Sequence, residues 1–116
     1  MARFPAPVAF GRQPNEVDKR RIEKALQGRK RYRYVTPQVQ YVDRGYRIVS
    51  PCCSRNIDPD GGIVDVARIE YVESTRYWFL YRKNHDEGLW MLHGEFTTLD
   101  RLLATLNEDP LRVFWQ

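Results

Sequence analysis

Apolar residues in this 116-residue chain recur first at helical spacing, then at strand spacing through the middle, and at helical spacing again near the end. Ile22, Ala25 and Leu26 share one face of a segment opened by Asn15, a favourable N-cap residue. Glu16 and Asp18 fall in its first turn, where the helix dipole favours negative charge, and Gly28 is a natural stop. The spacing therefore predicts a helix from Asn15 to about Gln27. Beyond Gly28 the period becomes two. Arg29, Arg31 and Arg33 alternate with Lys30, Tyr32 and Tyr34, which predicts a strand carrying three guanidiniums on one face, interrupted at Pro37.

Val39 and Tyr41 are followed by Tyr46 and Ile48, and Asp43-Arg44-Gly45 between them reads as a hairpin turn. From Ser50 to Gly62, prolines, an Asn, two Asp and a Gly pair predict irregular backbone. A three-strand meander follows: Ile63 to Tyr71, Tyr77 to Tyr81 and Leu89 to His93, with turns at Ser74-Thr75 and at His85-Asp86-Glu87-Gly88. In its middle strand both the Trp78/Leu80 set and the Tyr77/Phe79/Tyr81 set are apolar, which predicts a central strand covered on both sides. Thr97 or Thr98 caps a last helix in which Leu99, Leu102, Leu103 and Leu106 form the clearest helical stripe of the chain. Asp109-Pro110 ends it, and Leu111, Val113, Phe114 and Trp115 form a tail expected to pack back.

The elements thus predict one α+β domain over 15–116: a mainly antiparallel sheet of about five strands with one helix near each end of the chain. Residues 1–14, with Pro5, Pro7 and Pro14 and no periodicity, are expected to form a flexible arm from which Phe4, Val8 and Phe10 could still dock. The length suits one core. An aromatic content of 13% argues against wholesale disorder.

Charge adds an asymmetry to this picture. Ten of the 19 Lys and Arg residues fall within the first 33 positions, so a front end of +7 precedes a remainder of −3, for a net +4. Met1 to Phe10 holds no sustained apolar run, and no stretch is long enough to span a bilayer. Adjacent Cys52 and Cys53 make no disulfide framework. A reduced, cytoplasmic protein is expected.

A basic helix (Glu16 to Leu26, EVDKRRIEKAL) comes first, then a meander containing Tyr77-Trp78 and Trp90. A leucine helix follows, closing on Asp109-Pro110 and Phe114-Trp115. In this order the pieces resemble a family of small bacterial proteins catalogued only as a domain of unknown function. The resemblance covers residues 15–116, and Pro51-Cys52-Cys53 departs from the pattern. It implies a bacterial source and an α+β layout, and it transfers no site.

Several constellations could carry chemistry. Lys19, Arg20 and Lys24 on the helix, followed by Arg29, Arg31 and Arg33 on the predicted strand, would form a continuous positive surface of the kind that holds phosphate backbones. The same charges could instead solvate a helix face, protect a strand edge, or pair with the acidic remainder of the chain or with an acidic partner protein. Cys52 and Cys53, with His85 and His93, are the only soft ligands or thiol nucleophiles. Their spacing matches no ordinary zinc site, and nothing in the sequence places a histidine beside the thiols. Asp58-Pro59-Asp60-Gly61-Gly62 lacks the alternating ligands of a calcium loop, and His85-Asp86-Glu87 is a charged hairpin tip. Tyr71, Tyr77, Trp78, Phe79, Tyr81 and Trp90 could line a ligand pocket or a dimer interface, and an exposed remnant of them on the sheet face would point to a homodimer.

A non-enzymatic binding module is therefore the leading expectation, with nucleic acid as its first candidate ligand. A protein-interaction or homodimerising module comes second, and a cysteine-dependent or zinc-binding protein third. No catalytic residue is assigned, and no cofactor is called for.

Overall fold

The computed structural model describes residues 12–51 and 62–116. Residues 1–11 of the expected arm, and residues 52–61 of the loop expected from Ser50 to Gly62, lie outside the described residues, while Ser50 and Pro51 end a strand rather than begin the loop. The elements run α1 (Glu16–Leu26), β1 (Gln38–Val42), β2 (Gly45–Pro51), β3 (Ile63–Val72), β4 (Tyr77–Asn84), β5 (Leu89–Phe96) and α2 (Leu99–Glu108). The strands form one antiparallel sheet in the order β1-β2-β3-β4-β5, so the meander spans all five strands. With a helix near each end, this is the expected α+β layout.

Local chemistry sets the boundaries of the helices. Asn15 caps α1 by accepting the Asp18 N–H at 2.7 Å, and Thr98 caps α2 by accepting from the Arg101 N–H. Asp18 is buried. Its carboxylate accepts from Gln13 Nε2 at 2.9 Å, Asn15 Nδ2 at 3.1 Å and Arg21 at 2.8 Å. The Tyr46 hydroxyl donates to Gln13 Oε1 at 2.6 Å and accepts from the Asn15 N–H, so Gln13 is tied to the domain. Burial pushes the Tyr46 phenol up to about 12.

Strand alternation then decides which residues meet the helices. Tyr46 and Ile48 of β2 stand opposite Ile69 and Ala67 of β3. Ile69 and Tyr71 stand opposite Leu80 and Trp78 of β4, and Trp78 opposite Phe96 of β5. This inner face receives Ile22 and Leu26 of α1 and the full leucine stripe of α2, and together they make one core. Gly45 is required at the start of β2, because a Cβ there would lie 1.9 Å from the Ile69 carbonyl oxygen. The tail packs back as expected, with Phe114 and Trp115 buried, although Leu111 points outward at 78% exposure.

Two expectations are corrected. Residues 29–34 form no strand: Tyr32 takes a left-handed φ of 58°, and its ring packs on Trp115 at 5.7 Å between centroids. Nor is β4 covered on both sides. Trp78 and Leu80 are buried under the helices, but Tyr77 is 41% exposed and Phe79 and Tyr81 are partly exposed on the outer face. Both helices belong to the layer on the inner face, and among the described residues no helix lies on the other side of β4.

Candidate functional site

The basic segment is positioned by α1 and by the irregular stretch that follows it. On α1, Lys19 lies 4.0 Å from Glu23 and 5.1 Å from the Tyr41 ring centroid, and Arg20 pairs with Glu16 one turn earlier at 3.2 Å. Arg21 reaches both Asp18 and, at 3.1 Å, Asp100 at the start of α2. Lys24 is exposed, with no ion pair among the described residues.

Arg29, Arg31 and Arg33 are not aligned on one face. Arg29 is buried beneath Trp115, and its guanidinium donates to the Leu26 carbonyl at 2.7 Å, to Tyr32 at 2.8 Å and to Val35 at 2.5 Å. Four N–H···O bonds from one guanidinium thus reach the carbonyls of Leu26, Tyr32 and Val35 in a stretch that has no sheet ladder. Burial, and after it the charge of Arg33, lowers the Arg29 pKa from its ordinary value. Arg31 donates to the Asp109 carbonyl at 3.2 Å and lies 4.0 Å from its carboxylate. Arg33 is exposed but donates to the Arg29 carbonyl, and Tyr34 beside it is wholly exposed. Lys30 pairs with Glu108 at 3.1 Å.

Asp109, read from the sequence only as a helix stop, is the hub of the C-terminal end. It takes a left-handed φ of 38° and is buried. Its carboxylate accepts from the backbone N–H groups of Val113 at 2.8 Å, Phe114 at 3.2 Å and Trp115 at 2.8 Å. The Trp115 indole N–H donates to the Leu106 carbonyl at 3.0 Å. The tail is therefore pinned by one carboxylate on its backbone and one carbonyl on its ring.

The outer sheet face carries a second set of charges, already paired within the chain. Asp65 receives Arg47 at 2.5 Å and Lys83 at 2.9 Å, and Lys83 also lies 4.8 Å from the Trp90 ring centroid. Burial alone would push the Asp65 carboxyl up, but the hydrogen bonds from Lys83 and Arg47 outweigh it and hold the group below the ordinary aspartate value. Nearby, Glu70 faces Arg44 at 3.3 Å and accepts the Tyr81 hydroxyl at 3.0 Å.

At the far end of this face, β5 is the last strand of the meander, and among the described residues no strand pairs with its far edge. Leu89 is 56%, Met91 40% and Leu92 46% exposed. Trp90 and Leu92 stand opposite Lys83 and Tyr81, hence on the outer face, whereas Met91 stands opposite Arg82 on the helix side. A register shift displaces His93 from the ladder, and its ring packs edge-on against Phe114 at 4.8 Å. Sequence inspection read this stretch as a strand without singling out its surface. The available signal was Leu89-Trp90-Met91-Leu92, four apolar residues in a row without alternation, in the strand that must end the sheet.

The thiol and metal candidates are only half placed. Cys52 and Cys53 lie outside the described residues. His85 sits in the β4–β5 turn and His93 on β5. Burial lowers the pKa of each, and Arg82 lowers that of His93 further. Among the described residues no three His, Cys, Asp or Glu side chains gather closely enough to hold a metal ion. Among the described residues no helix is long and apolar enough to cross a membrane. Neither the curated proteins nor the solved structures compared with the chain give a match. A family model does match residues 10–116, and on that match the chain belongs to the family described as a domain of unknown function, DUF3024.

Proposed function

We propose that this chain is a non-catalytic interaction module that engages another polypeptide along the open edge of β5, by strand addition. The observation that carries the reading is an apolar run, Leu89 to Leu92, with Leu89, Met91 and Leu92 exposed and Trp90 half-buried, on the backbone edge that ends the sheet. Open edges are ordinarily blunted by Lys, Pro or short length, and the opposite edge has these features. There β1 is five residues long, follows Pro37, carries Gln38 and Gln40, and has Lys19 over Tyr41. By contrast β5 carries no Lys, Arg or Pro, and Leu89 to Leu92 run unbroken as far as the register shift at His93. A strand laid beside it would gain main-chain hydrogen bonds and seat alternate side chains against Trp90 and Leu92.

The test is a displayed library of extended peptides, with hits mapped by amide NMR. Shifts confined to β5 and its β4 neighbours, and lost in Met91→Lys and Leu92→Lys, are expected. No binder of any kind at this edge, together with free amide exchange in β5 at every protein concentration, would refute the module reading.

A second reading, nucleic-acid binding, is favoured by Lys24 and by the pairing in sequence of exposed Arg33 with wholly exposed Tyr34, since a cation beside a free ring suits single strands. It would rest on Lys19, Arg20, Lys24 and Arg33, because the guanidiniums of Arg29 and Arg31 are bonded to carbonyls of the chain itself. Titration of labelled single- and double-stranded DNA and of RNA across salt separates the two readings. Lys24→Gln and Arg33→Gln should each flatten the salt slope if these groups meet phosphates.

A further inference from the structure

We infer that the polypeptide that covers the β5 edge is a second copy of this chain, paired antiparallel through β5 about a two-fold axis near Met91. The inference rests on the interaction-module reading and names its partner. Charge is the first argument. From Leu89 to Gly94 the strand carries no formal charge apart from what His93 can take up, so two copies would bury none on meeting. Of the cations that border this edge, Arg47 and Lys83 share the single carboxylate of Asp65, and Arg82, opposite Met91, has no ion pair among the described residues. The strand itself offers a partner no charge to pair with, and an uncharged, apolar strand is what it complements.

Symmetry is the second argument. An antiparallel pairing centred on Met91 sets Met91 against its own copy on the helix side, and Trp90 against Leu92, twice, on the outer face. Aromatic-against-aliphatic contacts of that kind are favourable cross-strand pairs. Such a contact is isologous and closes at two copies, so it consumes the open edge without propagating. The same axis sets Leu89 against His93, which the register shift displaces from the ladder, so regular pairing is confined to Trp90–Leu92.

Area sets the strength. Leu89, Met91 and Leu92 are 56%, 40% and 46% exposed, so a contact built on them falls well short of the roughly 800 Å² per partner of a standard stable interface. The dimer is therefore a weak, concentration-dependent one, with a dissociation constant on the order of micromolar or above.

Sedimentation equilibrium of the full chain from about 1 μM to about 500 μM, with amide exchange measured at both ends of the range, tests this. The mass should rise from 13.8 kDa towards twice that value. Exchange should slow with concentration in Leu89–Leu92 and stay unchanged in β1. Leu92→Lys, at an exposed position, should weaken association at least tenfold, and wild-type exchange localises the contact even if that variant misfolds. A constant monomer mass would overturn the inference, as would association with protection elsewhere. A monomer that binds peptides at β5 would overturn the second-copy assignment while leaving the interaction module standing. Absence of both activities would remove both.

Discussion

Replacing Asp109 by Ala removes the acceptor on which the C-terminal tail depends. Three backbone N–H groups converge on this carboxylate, and two belong to buried residues, Phe114 and Trp115. A buried N–H left without a partner costs about 1–3 kcal/mol, so these two alone amount to about 4 kcal/mol. The left-handed φ adds to this, since Ala tolerates that region less well than Asp. The total is a large share of the stability of a domain that has about 5–15 kcal/mol in all. Asp109→Asn keeps one acceptor oxygen and tolerance of left-handed backbone, and should cost only about 1–2 kcal/mol. Asp109→Gly relieves the backbone but not the orphaned N–H groups, so its loss should approach that of Ala. Guanidinium unfolding followed by tryptophan fluorescence gives all three values as midpoint shifts at constant slope. An Ala variant within about 1 kcal/mol of wild type would refute the hub assignment. A Gly variant as stable as wild type would reduce Asp109 to a backbone-conformation role.

Two further outcomes follow from the paired charges. Arg29→Lys keeps the charge but cannot span the Leu26, Tyr32 and Val35 carbonyls with a fork, so thermal melts should show a loss of about 2–3 kcal/mol; an unchanged melt would free Arg29 for a surface role. Asp65 has a depressed folded pKa, so its contribution is fully present above the unfolded aspartate value of 3.8 and is lost as pH falls through the lower folded value. Urea midpoints measured downward from pH 5 should therefore decline more steeply for wild type than for Asp65→Asn, and parallel profiles would show that the Arg47 and Lys83 bonds contribute nothing.

What the sequence made legible was whatever depends on neighbours in sequence. Asn15 and Thr98 cap where their hydroxyl or amide chemistry predicts, the leucine stripe of α2 is buried throughout, and Asp43-Arg44 turns the first hairpin with Arg44 at a left-handed φ of 63°. The failures depend on distant residues. Arg29 to Tyr34 alternate like a strand, but a strand needs a neighbour to pair with, and these guanidiniums and rings find carbonyls, Asp109 and Trp115 instead. Similarly, two apolar sides on β4 could mean two covering layers or one layer and a working surface. Periodicity is the same in both cases, and only the placement of both helices on one face separates them.

The charge asymmetry of the chain is in large part a description of its own folding. Arg21 reaches Asp100, Lys30 reaches Glu108 and Arg31 reaches Asp109, so three cations of the basic front end meet both ends of the acidic final helix. The first is at the N-terminal end of α2, where Asp100 also complements the helix dipole; the other two are at its C-terminal end, where cations offset exposed carbonyls. The two exposed pairs, Arg21–Asp100 and Lys30–Glu108, are worth little singly, but all three are long-range in sequence and fix which way α2 lies beside α1. A partner that competed for these cations would have to break contacts between the two helices. The backbone edge of β5, which pairs with no further strand among the described residues, can be covered without breaking any of these three ion pairs, and for that reason binding there costs the fold least.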